Sequence, residues 1–320
     1  MKPGSWESLG MIFECSAFEI SGQPIVFAQA PQAVVFEDFT RVYFSSRCVH
    51  PTGIGWLSFV AYVDLSTDFS TVVSAPKRVE YTLAEPGSFD EDGIFPFSPF
   101  IDDGRFFALT TGWSRRVSVD VETGVGLMES FDGGATFSRM GRGPLLTPST
   151  NEPFLVCDGF ALRSGQKYKL WHSFGVAWTQ CPRTKIWERT YKIGYRESDH
   201  LEKWPQGTGS QIIEDVRGEF ECQALPTVAK VGGQFLMAFC HRDTFGFREF
   251  PSSKYDLGYA ESVDGLAWRR DDSMFSFPRS DFDSEMRCYP HIFERGKEVF
   301  LLYNGNNFGQ FGFGLARWTP

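Results

Sequence analysis

The chain has 320 residues, of which 42 % are hydrophobic and 16 % aromatic, and it carries a formal charge of −9 at neutral pH. That acidic balance argues against binding to nucleic acid or an anionic membrane through bulk charge, and no apolar stretch reaches membrane-spanning length. Seven cysteines without a Cys-x-x-Cys pair read as scattered reduced thiols, neither a disulfide framework nor a metal site.

At the N-terminus, Met1 to Ser5 has no apolar leader core, so a cytoplasmic protein is expected. The run Trp6-Glu7-Ser8-Leu9-Gly10-Met11-Ile12-Phe13 is strand-like and stands apart from the repeating units. Beyond it, apolar pentads recur at Val42–Ser46, Phe106–Thr110, Tyr168–His172, Phe235–Phe239 and Val299–Tyr303, and their starting numbers differ by 64, 62, 67 and 64. A second strand-like run comes after each, at Leu57–Tyr62, Val125–Ser130, Ile193–Ser198, Leu257–Ser262 and Phe313–Arg317. Three of these lead into hairpin turns, Asp132-Gly133-Gly134, Asp199-His200 and Asp264-Gly265, each succeeded by an aromatic residue. The apolar pairs Leu145-Leu146, Ile212-Ile213 and Met274-Phe275 are then expected to mark outermost strands.

A period near 64 residues accommodates four antiparallel strands, which is one blade of a β-propeller. The predicted fold is all-β: a single five-bladed propeller over residues 1–320. The fifth unit stops at Pro320 before an outer strand can form, so the segment around residues 6–14 is expected to supply it and close the ring, because an open ring leaves two sheet edges unpaired.

Aligning the units on their inner strands shows Glu91 five residues before Pro96, Glu221 five before Pro226 and Glu285 five before Pro290; Glu152 keeps the place with Cys157 where proline would stand. Unit one has Val26 there, with Gln29 and Gln32 nearby. Innermost strands line the central channel, so the four glutamates are expected to meet at one mouth as catalytic residues, with at least one pKa raised by crowding. Alternatively they are repeat-determined anchors for loop N–H groups at each strand start. Loops between second and third strands open on the same face and carry Arg47, Trp113, Arg115, Arg116, His172, Arg183, His241, Arg242 and Asn304. Indoles stack on sugar rings and guanidinium forks bind carboxylate or phosphate, so the expected ligand is an anionic sugar or nucleotide-sugar. No dense His/Asp ligand spacing calls for a metal, and no cofactor is expected.

The segments Phe89-Asp90-Glu91-Asp92-Gly93-Ile94-Phe95-Pro96, Gly258-Tyr259-Ala260-Glu261-Ser262, Asp283-Ser284-Glu285-Met286-Arg287-Cys288-Tyr289-Pro290 and Tyr303-Asn304-Gly305-Asn306 resemble a bacterial group of glycosidase-like proteins often encoded among surface-polysaccharide genes. That group is similar to glycoside hydrolase families 43 and 32 and to the mannoside phosphorylases. The resemblance implies a carbohydrate-active enzyme that cleaves or transfers a glycosyl group, or a non-catalytic sugar-binding propeller. Family 43 places an Asp base in blade one, a modulating Asp in blade two and a Glu acid in blade three. Glu152 matches the third and Asp90, Glu91 or Asp92 the second, with Asp90, Asp92, Gln29, Arg287 and Asn304 as substrate contacts. The blade-one Asp is missing, since Gln29 and Gln32 stand there. That departure shifts the expected chemistry from ordinary inverting hydrolysis toward another pair, such as Glu221 with Glu285, or toward a phosphorylase or transferase.

Overall fold

A computed structural model describes residues 4–320 apart from positions 51, 54 and 83. Five antiparallel sheets stand around a central axis. Blade one is Gln29–Val35, Thr40–Val49, Trp56–Leu65 and Val72–Arg78; blade two is Ile94–Asp102, Arg105–Arg115, Val121–Ser130 and Thr136–Arg139, with Glu80–Tyr81 paired outside it. Blade three has Val156–Ser164, Lys167–Gln180 and Trp187–Ser198; blade four has Glu221–Val231, Gln234–Asp243, Asp256–Ser262 and Arg269–Arg270. Blade five runs Cys288–Arg295, Glu298–Asn304 and Gly312–Thr319, and its fourth strand is Ser5–Glu14 from the other end of the chain.

The closing strand pairs antiparallel from Ser5 opposite Thr319 to Glu14 opposite Gly312. Phe13 stacks on Phe313 at 4.9 Å and Trp6 meets Trp318 edge-on at 5.6 Å. Trp6 and Phe13 are buried on opposite sides of this strand, Trp6 in the cluster shared with blade four and Phe13 in the cluster shared with blade one. Between each pair of neighbouring blades lies one apolar cluster; Phe13, Phe44, Leu302 and Phe313 belong to the one joining blades five and one.

The outermost strands differ from expectation. Among the described residues, Leu146 makes one isolated bridge to Val125, and Ile212 bonds Ile193 without extending a strand. Met274 and Phe275 lie in a 3-10 turn. Pro205 and Gly207 break the blade-three return, so the apolar pairs there and elsewhere pack between blades instead of completing ladders.

Every inner strand skips two residues in its register with the second strand: Ala30-Pro31, Phe95-Pro96, Asp158-Gly159, Leu225-Pro226 and Tyr289-Pro290. Proline cannot donate to the ladder, so a bulge is where it fits a sheet interior. Ala30, Asp158, Leu225 and Tyr289 adopt left-handed φ of 51°, 56°, 48° and 55°. Four repeats of that costly conformation re-aim one residue per inner strand.

His291 comes just after the blade-five bulge and is buried against Phe293, with ring centroids 5.4 Å apart. Burial pushes its pKa down to about 3. A depressed folded pKa gives stability that is present above pH 6.5, the unfolded value, and lost as pH falls toward 3. His291→Phe should therefore flatten the acid limb of a stability-versus-pH curve, by about 4 kcal/mol near pH 3.5. Chemical denaturation of both proteins from pH 7 to 3.5 measures this; parallel curves would contradict it.

Candidate functional site

The mouth opens into a cavity of about 620 Å³, within the usual range for a small-molecule site. Three of its walls come from bulge residues, Phe95, Leu225 and Tyr289, and a fourth from Asp158. Nine aromatic side chains line it, Trp56, Trp113 and Phe308 among them. Its charged lining is lopsided: Arg47, Arg115, Arg189, Arg242 and Arg248 face only Asp120 and Asp158.

Three of these arginines have carboxylate partners. Arg115 pairs with Asp92, Arg248 with Glu188 at 2.9 Å, and Arg189 reaches Asp120 at 3.9 Å. Arg242 is buried, donates from Nε to the Tyr191 hydroxyl at 3.1 Å and from Nη1 to the Asp243 carbonyl at 2.7 Å, and lies 3.6 Å over the Phe247 ring, but has no carboxylate partner among the described residues. Arg47 lies 5.3 Å over Phe27, its Nε is buried without an acceptor, and burial pulls its pKa down. Among the described residues, two guanidinium groups thus line the cavity without a carboxylate partner. The buried Gln29 carboxamide faces the same space; its Nε2 donates to the Phe308 carbonyl at 2.7 Å and its Oε1 is left without a partner.

Asp158 sits on the blade-three bulge, 8 % exposed. Its own N–H donates to Thr111 Oγ1 at 2.7 Å, and its Oδ2 accepts from the Leu225 N–H at 3.2 Å. Burial raises its pKa, and that hydrogen bond and the Arg189 charge offset only part of the effect. A carboxyl whose pKa is raised by burial while it lines a cavity is a general-acid candidate.

The four glutamates do not share this cavity. Glu152 is buried between His172, at 3.0 Å, and Arg196. Gly207 packs so closely that a Cβ there would lie 2.0 Å from the Glu152 carboxyl. Glu221 is bound by Arg270 at 2.6 Å and by the Val216 and Arg217 N–H groups at 2.7 Å each. Burial pushes both carboxyls up, but their partners outweigh it and hold both below the usual value. Glu91 accepts from the Gly87 N–H at 2.6 Å, and Glu285 is an exposed partner of Lys254. Glu91 and Glu221 thus tie down loop N–H groups at their strand starts, whereas Glu152 and Glu285 meet charged side chains. The register explains the difference: Glu91, Glu221 and Glu285 precede their bulge residues by four positions, but Glu152 precedes Asp158 by six.

Of the other expected contacts, Gln29, Arg47, Trp113, Arg115 and Arg242 line the cavity, and Arg116 lines a groove beside it. The rest are placed elsewhere. Asp90 is buried under Arg139, and Asp92 holds Arg115 from behind. His172 is enclosed with Glu152, and His241 accepts from Arg217 at 3.0 Å and meets Asp272 at 3.3 Å. Arg183 pairs with Glu249 at the surface. Arg287 is buried on Asp283 at 2.6 Å, and Asn304 ties Ala28, Ala30 and Gly312 together. Asp158, Arg189, Tyr191, Tyr255 and Tyr289 were not anticipated; the residue before each inner-strand Pro, or Gly159 in unit three, is the signal that finds Asp158 and Tyr289.

No family model matches this chain. Two Mycobacterium tuberculosis proteins, uncharacterized protein MT1551 of strain CDC 1551 and uncharacterized protein Rv1502 of strain H37Rv, are each 27 % identical over 98 % of both chains. Among solved structures, one described as a glycoside hydrolase superposes with a TM-score of 0.71 at 13 % identity, covering 98 % of this chain and 91 % of the other. An endo-arabinase from Bacteroides thetaiotaomicron gives 0.62 at 14 % identity over 96 % of each chain. An α-L-arabinofuranosidase from Podospora anserina, solved with cellotriose, gives 0.61 at 10 % identity over 99 % and 97 %. The fold is a five-bladed propeller resembling those of glycoside hydrolase families 43, 32 and 62.

Proposed function

We propose that the cavity binds a sugar carrying a phosphoryl group and transfers its glycosyl unit, with Asp158 as the general acid. The carrying observation is the pairing of one carboxyl of raised pKa with two arginines that lack carboxylate partners. In this chemistry the bond from the anomeric carbon to the leaving oxygen breaks as that oxygen takes the Asp158 proton. A phosphoryl oxygen held by Arg47 and Arg242 forms the new bond to the anomeric carbon. That oxygen is already anionic and has no proton to lose, so the step needs no second carboxylate as base. Asp158 is left ionised and recovers its proton from water. The reverse direction uses the same groups, with phosphate leaving. Two-carboxylate hydrolysis suits the site less, because the other lining carboxyl, Asp120, is half exposed beside Arg189.

A second reading, sugar binding without turnover, is favoured by the Leu225 N–H that ties down one Asp158 oxygen. Calorimetry with UDP, uridine, inorganic phosphate and glucuronate tests the shared part of both readings. Charge-assisted bonds contribute about 1.5–3 kcal/mol each, so UDP should bind at least tenfold more tightly than uridine and Arg47→Met should remove most of that advantage. Equal affinity for UDP and uridine would overturn the anion assignment.

A further inference from the structure

A second concavity, about 360 Å³, adjoins the cavity and shares Trp113, Arg115 and Asp120 with it. Its remaining wall is the loop Arg116 to Val119 of blade two and Trp187 at the tip of the long blade-three hairpin. In contrast to the cavity, its charges are matched: Arg115 with Asp92, Arg116 with Glu122, and Asp120 with Arg189 at 3.9 Å. Its apolar groups are uncovered, with Trp187 43 % and Val117 fully exposed.

We propose that this groove is a subsite for a neutral saccharide, the uncharged part of a substrate whose phosphorylated unit occupies the cavity; it rests on the reading of the cavity as a sugar site. Trp187 offers an exposed flat face that stacks on a sugar ring, the Trp113 ring in the shared wall carries Arg115 at 5.2 Å, and matched charge gives an ionic group no gain in entering. The shared wall makes the two sites continuous, so one ligand spans them. The charged end lies toward the axis and the neutral end between blades two and three.

The test uses the full chain and neutral tetrasaccharides of glucose, mannose, galactose and arabinose, with tryptophan fluorescence and calorimetry as readouts and UDP as the cavity probe. At least one tetrasaccharide should bind the wild type. Trp187→Ala should weaken that binding tenfold or more, Trp187→Phe should restore most of it, and the UDP affinity of both variants should stay within twofold of wild type. Wild-type tetrasaccharide affinity in Trp187→Ala, or no binding by any of the four, overturns the groove assignment. If UDP also fails to bind the wild type, the reading of the cavity itself has failed; if UDP binds, only the groove is lost.

Discussion

Asp158→Asn should abolish nearly all turnover, a fall of about 10²- to 10⁴-fold, while the folded protein keeps its ligand affinity. The amide still accepts from the Leu225 N–H but cannot supply a proton. The same substitution carries a stability signature. A carboxyl whose folded pKa is raised contributes its stability below the unfolded pKa and loses it as pH rises through the folded one. Asp158 therefore costs stability at neutral and higher pH, and the Asn variant should melt higher than wild type at pH 8, with the gain vanishing near pH 3.5. Glu152→Gln is the matched control. It leaves Arg196 buried without a counter-charge, which costs about 3–5 kcal/mol, yet turnover per folded molecule should persist. Comparing kcat with melting temperature for both variants separates the roles; a Glu152→Gln variant that is stable but inert would return the acid to Glu152.

Removing residues through Glu14 should unfold the whole propeller. The deletion strips the outer strand of blade five and uncovers the interblade cluster containing Phe13, Phe44, Leu302 and Phe313. Phe13→Ala alone should cost about 3–5 kcal/mol, since its ring is buried and stacked on Phe313. The truncation also frees Gly312–Thr319 as an unpaired edge, inviting aggregation. Calorimetric melting of the point variant and the truncation checks both effects. An unchanged melting temperature in the truncation would mean that the ring does not depend on this closure.

The five pentads, the 64-residue period and the orphaned strand at Trp6–Phe13 made the architecture legible, because the hydrophobicity of each second strand and of the closing strand is written locally in the chain. The glutamate pattern was equally real, but its meaning lies in what each carboxyl touches. Glu221 and Glu91 serve backbone N–H groups within five residues, whereas Glu152 and Glu285 meet charged side chains from farther along the chain. Asp158 is hidden in the sequence because blade three replaces the bulge proline with Gly159 and shifts its glutamate by two positions, so Glu-to-Pro spacing points to Cys157. Arg242 and Arg115 were found from loop position alone. Their difference from Arg183, which pairs with Glu249, depends on partners from other strands that spacing does not reveal.

The most direct test of the central claim is a product-resolved NMR assay of wild type and Asp158→Asn. The substrates are a panel of glycosyl phosphates, UDP-sugars and neutral aryl glycosides, with and without inorganic phosphate and neutral acceptor sugars. Wild type should form a new glycosidic or glycosyl-phosphate bond only where a phosphoryl group takes part, and Asp158→Asn should form none. Cleavage confined to the neutral aryl glycosides with water as acceptor, or undiminished turnover by Asp158→Asn, would contradict the claim.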